Sequence, residues 1–525
     1  MTEEKLQKPA VAKIRLVYPI LFALFPMLSI YSANLAMISF ETLLRPTLII
    51  STISVVLWLI FGFGLRDHYR GAICSSVVIS MCYFYTKFQS ISHFFYIPAR
   101  FEFWIWGLST VGLASIFAWK FKWHKFANIF SIALVITTSL QICFSFFQAV
   151  QSSPETQTSL RTNSKAESGR PDILYVILDG YGRSDALKRS LGFDDTTFIK
   201  GLEKRGFFVA NDSRANYCQT ELSVGSSLNL DFIQTLLPKV NSKDSDRLPL
   251  GELVNHNAAS RYLKAKGYTF CAITTGFPPL QFDSADVNLR SRSGMTMLES
   301  AILQISPWAH DGRIVDSQFV KRREDLTAAI EALSLLRTRE IKPRFVVAHI
   351  LAPHPPFVFG ANGEMVPRKG LYGFWDGSDY LEHVSNASDY TSGYAGQAEY
   401  LGKKILSAID SILSSDGEKP VILIQGDHGS KLRLDQNSLA NTDLNECFPN
   451  LSAFYVPDSV RKNLYPSISA VNSFRVVFNG LFSDNFQLRP DLSWYSTYPR
   501  PFEFTEVTNQ IADSATLKSI PLPKQ

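Results

Sequence analysis

The chain has 525 residues, too many for one ordinary domain, and 46% of them are hydrophobic. A formal net charge of +5 over that length is too small to argue for a nucleic-acid partner. Six cysteines with no CxxC spacing are too few for a disulfide framework, and there is no P-loop or GxGxxG.

The apolar residues concentrate in residues 1–150, where five segments can be drawn: 17–36, 46–65, 71–87, 104–120 and 127–149. Each approaches the ~20 residues that cross a bilayer as a helix. Lys5, Lys8, Lys13 and Arg15 precede the first, Arg66 and Arg70 separate the second and third, and Lys120, Lys122 and Lys125 separate the fourth and fifth. These three basic regions fall on one side of five spans, which predicts a cytoplasmic N-terminus and places the rest of the chain outside the cytoplasmic membrane. Trp104, Trp106, Trp119, Trp123, Phe146 and Phe147 flank the spans as interface aromatics do. With no buried charge pair evident, the spans read as an anchor rather than a transporter. Residues 151–170 are polar and read as a linker.

Residues 171–525 read as a soluble α/β domain. Strands are predicted at Ile173–Leu178, Phe207–Ala210, Thr269–Thr274, Phe345–His349 and Val421–Gln425. Helices are predicted at Thr196–Arg205, Thr220–Leu230, Ala258–Lys266, Glu324–Arg337 and Ser392–Ser414. Such alternation implies a mainly parallel sheet covered on both faces, with functional groups at the carboxyl ends of strands.

Three strand ends carry chemistry. ILYVILDGYGR ends a strand at Asp179, FVVAHILAPHPPF carries His349 and His354, and PVILIQGDHG ends in Asp427 and His428. Asp179, Asp427 and His428 offer a mixed oxygen and nitrogen set for one divalent ion, Zn²⁺ or Mn²⁺, with a position left open. NYCQTELSVGSSLN places hydroxyls at a helix start. Thr220 there suits a nucleophile lowered in pKa by the ion, with Ser223 as the alternative. Asn216 and His310 are candidate substrate-binding groups, Arg214 is a weaker one, and His349 reads as a core histidine. Tyr394, Gln397 and Tyr400, at helical spacing, read as packing residues.

The segments LDGYGR, NYCQTELSVGSSLN, APHPPFVF, GDHG and YPSISAVNSFRVVFN, in this order, resemble the alkaline phosphatase superfamily. The likeness is to its membrane-anchored, sulfatase-like branch, which includes lipoteichoic acid synthases and lipid A phosphoethanolamine transferases. The resemblance spans roughly 170–500 and extends to a five-span anchor. It implies that Asp179, Asp427 and His428 bind metal, that Thr220 is both nucleophile and metal contact, and that His354 touches the transferred group or protonates the leaving group. Formylglycine sulfatases carry Cys or Ser followed by x-Pro-x-Arg; here Cys218 is followed by Gln-Thr-Glu-Leu, which argues against formylglycine. No second ligand set is evident, which favours one metal.

The expectation is therefore a helical membrane domain (1–150), a linker (151–170) and an alkaline-phosphatase-like α/β domain (171–525). Its expected activity is metal-dependent phosphotransfer or phosphodiester cleavage, on phospholipid head groups or envelope glycans. A sulfuric-ester hydrolase and an inactive envelope scaffold are the alternatives. Transferase and hydrolase share their first half-reaction, so these residues leave both open.

Overall fold

The computed structural model describes residues 16–35, 40–120, 124–152, 170–290, 295–309, 311–335, 343–414, 418–517 and 519. Two compact units emerge: Met1–Phe146 with Met295–Asp311, and Phe147–Gly294 with Gly312–Gln525.

The first unit is helical. Among the described residues, three helical stretches are long and apolar enough to cross a membrane: Leu44–Gly64, Arg100–Trp119 and His124–Phe147. The other two expected segments do not reach that standard alone. Tyr18–Ala33 has 16 residues, about 24 Å of helix against ~30 Å of hydrocarbon. The segment expected at 71–87 is two helices, His68–Tyr83 and Tyr85–Phe94, bent by 62°. Phe84, outside helical geometry, caps one and starts the other. Five expected spans thus become three, or four if the bent pair counts as one.

The His68–Tyr83 and Leu44–Gly64 helices meet backbone to backbone, since a Cβ on Gly71 would lie 2.4 Å from the Gly62 nitrogen. Small residues permit such close crossings. One carboxylate is nonetheless buried in this unit. Glu102, in the first turn of the Ala99–Lys120 helix, is buried. It accepts from Ser92 Oγ at 2.5 Å and Gln89 Nε2 at 3.3 Å, and faces His93 Nε2 at 3.2 Å. The same unit includes the short helix Met297–Gln304, started by a Thr296–Glu299 capping box. Arg45 donates to both carboxylate oxygens of Glu299.

The second unit is built on a seven-stranded sheet: β1 (Ile173–Leu178), β2 (Phe208–Val209), β3 (Thr269–Thr274), β4 (Val287–Arg290), β5 (Arg344–Ile350), β6 (Val421–Gln425) and β7 (Ser452–Tyr455). Their order is β2-β7-β6-β1-β5-β3-β4. β6, β1, β5, β3 and β4 run parallel, while β7 and β2 add an antiparallel edge. β1 lies at the centre with every residue buried, which is why it reads as an unbroken apolar run. Leu174, Val176 and Leu178 join one core with Leu326 and Ile405. Tyr175 points to the other face, against Phe474 and Ser227. The sheet is therefore covered on both sides, and the carboxyl ends of β1, β5 and β6 lie side by side.

The turn after β6 leaves no room for side chains at its glycines. A Cβ on Gly426 would lie 2.1 Å from the Tyr181 carbonyl oxygen, and one on Gly429 would lie 2.1 Å from that of Glu446. Gly180, after Asp179, has φ +73°, a backbone state that glycine adopts without strain. Gly426→Ala is expected to lower the unfolding free energy by about 1–3 kcal/mol through forced backbone shifts. Chemical denaturation against wild type checks this.

Candidate metal centre

Asp179, Asp427 and His428 come together at the ends of β1 and β6. One ligand atom from each lies within 4.8 Å of the others, and all three residues are buried. Each side chain is held by one atom and presents another. Asp179 Oδ2 accepts from His349 Nε2 at 2.9 Å, and Asp427 Oδ1 accepts from the Gly180 amide at 2.9 Å. The remaining oxygens, Asp179 Oδ1 and Asp427 Oδ2, are buried without a hydrogen-bond partner. His428 Nδ1 lies 2.9 Å from the Gly429 carbonyl oxygen, which assigns the ring hydrogen to Nδ1. The bare Nε2 then faces Asp427 Oδ2 at 3.1 Å and Asp179 Oδ1 at 3.8 Å.

When Asp179 is ionised, three lone-pair donors converge with no hydrogen between them. Buried acceptors in that arrangement repel one another unless a cation sits among them. The donor set, two carboxylates and one imidazole, fits Zn²⁺ or Mn²⁺.

The local charges follow. Burial, then the neighbouring Asp427 charge, push the Asp179 carboxyl up to about 8. Burial holds His428 well below the usual imidazole range and lowers His349 to about 4, so both rings are neutral near pH 7. His349, expected in the core, is there, and it also orients Asp179. A neutral histidine donating to a ligand carboxylate fixes that ligand's direction.

Thr220 is the first residue of the Thr220–Asn229 helix. Its Oγ1 stands 3.2 Å from His428 Nε2. Ser223, one turn further, donates to the Asp427 carbonyl oxygen at 2.6 Å and is committed there. Asn216, expected at the anion, is instead a brace. Its amide donates to Ser469 Oγ and the Leu492 carbonyl and accepts from the Val471 amide. Arg214 donates to the Thr508 carbonyl. His310 lies outside the described residues.

His354 sits on the loop after β5, and its amide donates to the Asp179 carbonyl at 3.1 Å. Its Nδ1 lies 2.5 Å from the Pro355 carbonyl oxygen and its Nε2 lies 3.3 Å from Asp376 Oδ2. Sequence reasoning missed Asp376 and Lys431, whose Nζ is 3.6 Å from the same oxygen. Burial raises the Asp376 carboxyl, but His354, Lys431 and His428 outweigh it and hold it below the ordinary range. Tyr394 and Gln397 pack as expected and also bond the site loops. Tyr394 Oη donates to the Gly180 carbonyl and accepts from the Gly182 amide. Gln397 bridges the His354 carbonyl and the Val358 amide.

No family model matches the chain, and no curated protein matches it. Among solved structures it is similar to the zinc complex of the C-terminal periplasmic domain of EptC from Escherichia coli. That match has 11% identity over 66% of this chain and 95% of the other, with a TM-score of 0.43. It is also similar to lipooligosaccharide phosphoethanolamine transferase A from Neisseria meningitidis, at 12% identity over 88% and 95% of the chains and a TM-score of 0.42. A third is a protein in the alkaline phosphatase superfamily from Vibrio parahaemolyticus, at 11% identity over 67% and 82%, with a TM-score of 0.37. Likeness at this level lends no residue a role, and the site is read from its own atoms.

In the metal-free protein, folded Asp179 holds a proton that the unfolded chain releases near its ordinary value of 3.8. Stability should therefore fall as pH rises from about 4 through about 8. Added Zn²⁺ should cancel that fall and release a proton on binding near pH 6.5, because ligands bind deprotonated. Thermal melts against pH and calorimetric titrations in buffers of different ionisation enthalpy check both.

Proposed function

We propose that this chain is a membrane-anchored, metal-dependent phosphotransferase or phosphodiesterase. It works outside the cytoplasmic membrane, on phospholipid head groups or envelope glycans, with Thr220 as nucleophile. The observation that carries this reading is the Thr220 hydroxyl at 3.2 Å from the same His428 nitrogen on which the two unpartnered carboxylate oxygens converge. A Zn²⁺ or Mn²⁺ ion held by Asp179, Asp427 and His428 would lower the pKa of a hydroxyl beside it.

The protein's own groups do the rest. The N-terminus of the Thr220–Asn229 helix presents amide hydrogens and partial positive charge to phosphate oxygens. Thr220 Oγ1 loses its proton to solvent and bonds to phosphorus as the bond to the leaving oxygen breaks. The leaving oxygen takes up a proton, and the phosphoryl group remains on Thr220. Water or an acceptor hydroxyl then displaces Thr220, whose oxygen regains a proton. Both ring nitrogens of His354 lie against protein oxygens, so it would serve by positioning the phosphoryl group or, as the resemblance implies, by protonating the leaving oxygen.

Cys218 does not compete with Thr220: it is buried, and burial pushes its thiol up to about 11. The three apolar helices support the anchor. With the bent pair His68–Tyr83 and Tyr85–Phe94 counted as one span, Arg66, Arg70 and Lys125 fall on one side, which supports the orientation.

Full-length protein in detergent, loaded with Zn²⁺ or Mn²⁺, is expected to turn over a chromogenic phosphodiester. Thr220→Ala should lose ~10³-fold or more of that rate while keeping its metal. Quenched wild type should carry a phosphoryl group on Thr220 by mass spectrometry. Undiminished turnover by the variant, or a preference for a sulfate ester, would sink the reading; absence of stoichiometric metal would favour the scaffold alternative.

A further inference from the structure

Lys431 follows His428 by three residues and is nearly buried, at 6% exposure. The backbone that carries it is held in place. Ser430 Oγ and the Leu432 amide both donate to Glu446 Oε1, and the Lys431 amide donates to Tyr390 Oη. Its side chain is much less satisfied. Among the described residues, its one ion-pair partner is Asp376, at 3.6 Å, beyond hydrogen-bond length.

Asp376 has other partners besides it. Its Oδ1 accepts from Tyr390 Oη and from the Gly377 amide, each at 3.0 Å, and its Oδ2 faces His354 Nε2 at 3.3 Å. An ammonium carries three donors, and taking it out of water is costly unless acceptors meet them.

The position of Lys431 shows where an acceptor belongs. Burial lowers its pKa, yet the charges of Asp376, Asp179 and Asp427 more than offset this. Its own charge acts on Cys218, two residues before Thr220. Lys431 shares Asp376 Oδ2 with His354, whose amide donates to the Asp179 carbonyl, and it follows His428 by three residues, so it stands beside the Asp179–Asp427–His428 cluster. The Lys431 ammonium is left with donors that Asp376 does not meet.

We propose that Lys431 binds a non-bridging oxygen of the phosphoryl group, and that Asp376 is the positioning residue that aims it. The inference rests on the proposed phosphoryl-transfer reading. It adds a group that holds the anionic centre of the substrate beside the metal ligands, whether that centre belongs to a lipid head group or to a glycan phosphate.

The test uses full-length, metal-loaded protein in detergent and orthovanadate as probe. Lys431→Met, which keeps the length and removes the charge, should retain metal stoichiometry and melting temperature. It should bind vanadate ~10–100-fold more weakly, the usual effect of losing a hydrogen bond to a charged group. Lys431→Arg should restore part of the affinity. Asp376→Asn should also weaken vanadate binding, and adding it to Lys431→Met should cost little more, as expected if Asp376 acts through Lys431.

Unchanged vanadate affinity in Lys431→Met overturns the proposal. If that variant fails to fold, Lys431→Arg decides: altered affinity with metal retained supports it, and unaltered affinity overturns it. The two readings fail separately. Undiminished turnover by Thr220→Ala with weakened vanadate binding by Lys431→Met removes the nucleophile and leaves the anion site. An inactive Thr220→Ala with normal vanadate binding by Lys431→Met does the reverse.

Discussion

Two carboxylates that would repel each other are held side by side in the interior, and the surrounding structure is arranged to keep them there. Asp179 and Asp427 each give one oxygen to a fixed donor, His349 or the Gly180 amide, and leave one unpartnered. Burying two such charges costs several kcal/mol per ion even after relaxation. A fold that accepts this cost at the carboxyl ends of its central strands has made a place for a cation. The high pKa of Asp179 expresses the same strain in the absence of one.

The support reaches outward in layers. Tyr394 clamps the Asp179–Gly180 turn from the long Ala387–Leu413 helix, and Gln397, one turn on, holds the His354 loop. Ser223 ties the Thr220–Asn229 helix to the backbone of Asp427. Hydrogen bonds of this kind set ligand direction more tightly than packing alone. Because they draw on β1, β5, β6 and two helices, the geometry depends on the whole sheet rather than on any one loop.

The membrane unit is less regular than its hydropathy implies. A hydropathy run does not reveal a bend such as the one at Phe84, because both halves are apolar. Glu102 shows the same limit: its carboxylate is satisfied by Ser92, Gln89 and His93 from the preceding helix, a pairing no local pattern displays. The Met295–Asp311 segment belongs to this compact unit, although its neighbours in sequence, β4 and the Gly312–Ser334 helix, belong to the other.

Local signals carried much of the architecture. β1, β3 and β6 occupy the predicted residues, since fully buried parallel strands are unbroken apolar runs between turns. The Thr220 and Ala258 helices begin where predicted. β4 and β7 went unseen: each has four residues, too few to display a strand period. The helix predicted from Glu324 starts at Gly312, its apolar stripe interrupted by charge. At the site, Asp179, Asp427, His428 and Thr220 were legible because each sits at a strand end or helix start with a recognisable neighbour sequence. The second role of His349 and the Asp376–Lys431–His354 cluster were not. Those groups are separated by 22 to more than 70 residues, and only the parallel order of β1, β5 and β6 brings them together. The sequence by itself therefore determined the ligand types and the elements that bear them. Only the tertiary structure decided which oxygens stay unpartnered and which cation faces them, because hydrogen bonding between distant segments is settled when the sheet closes.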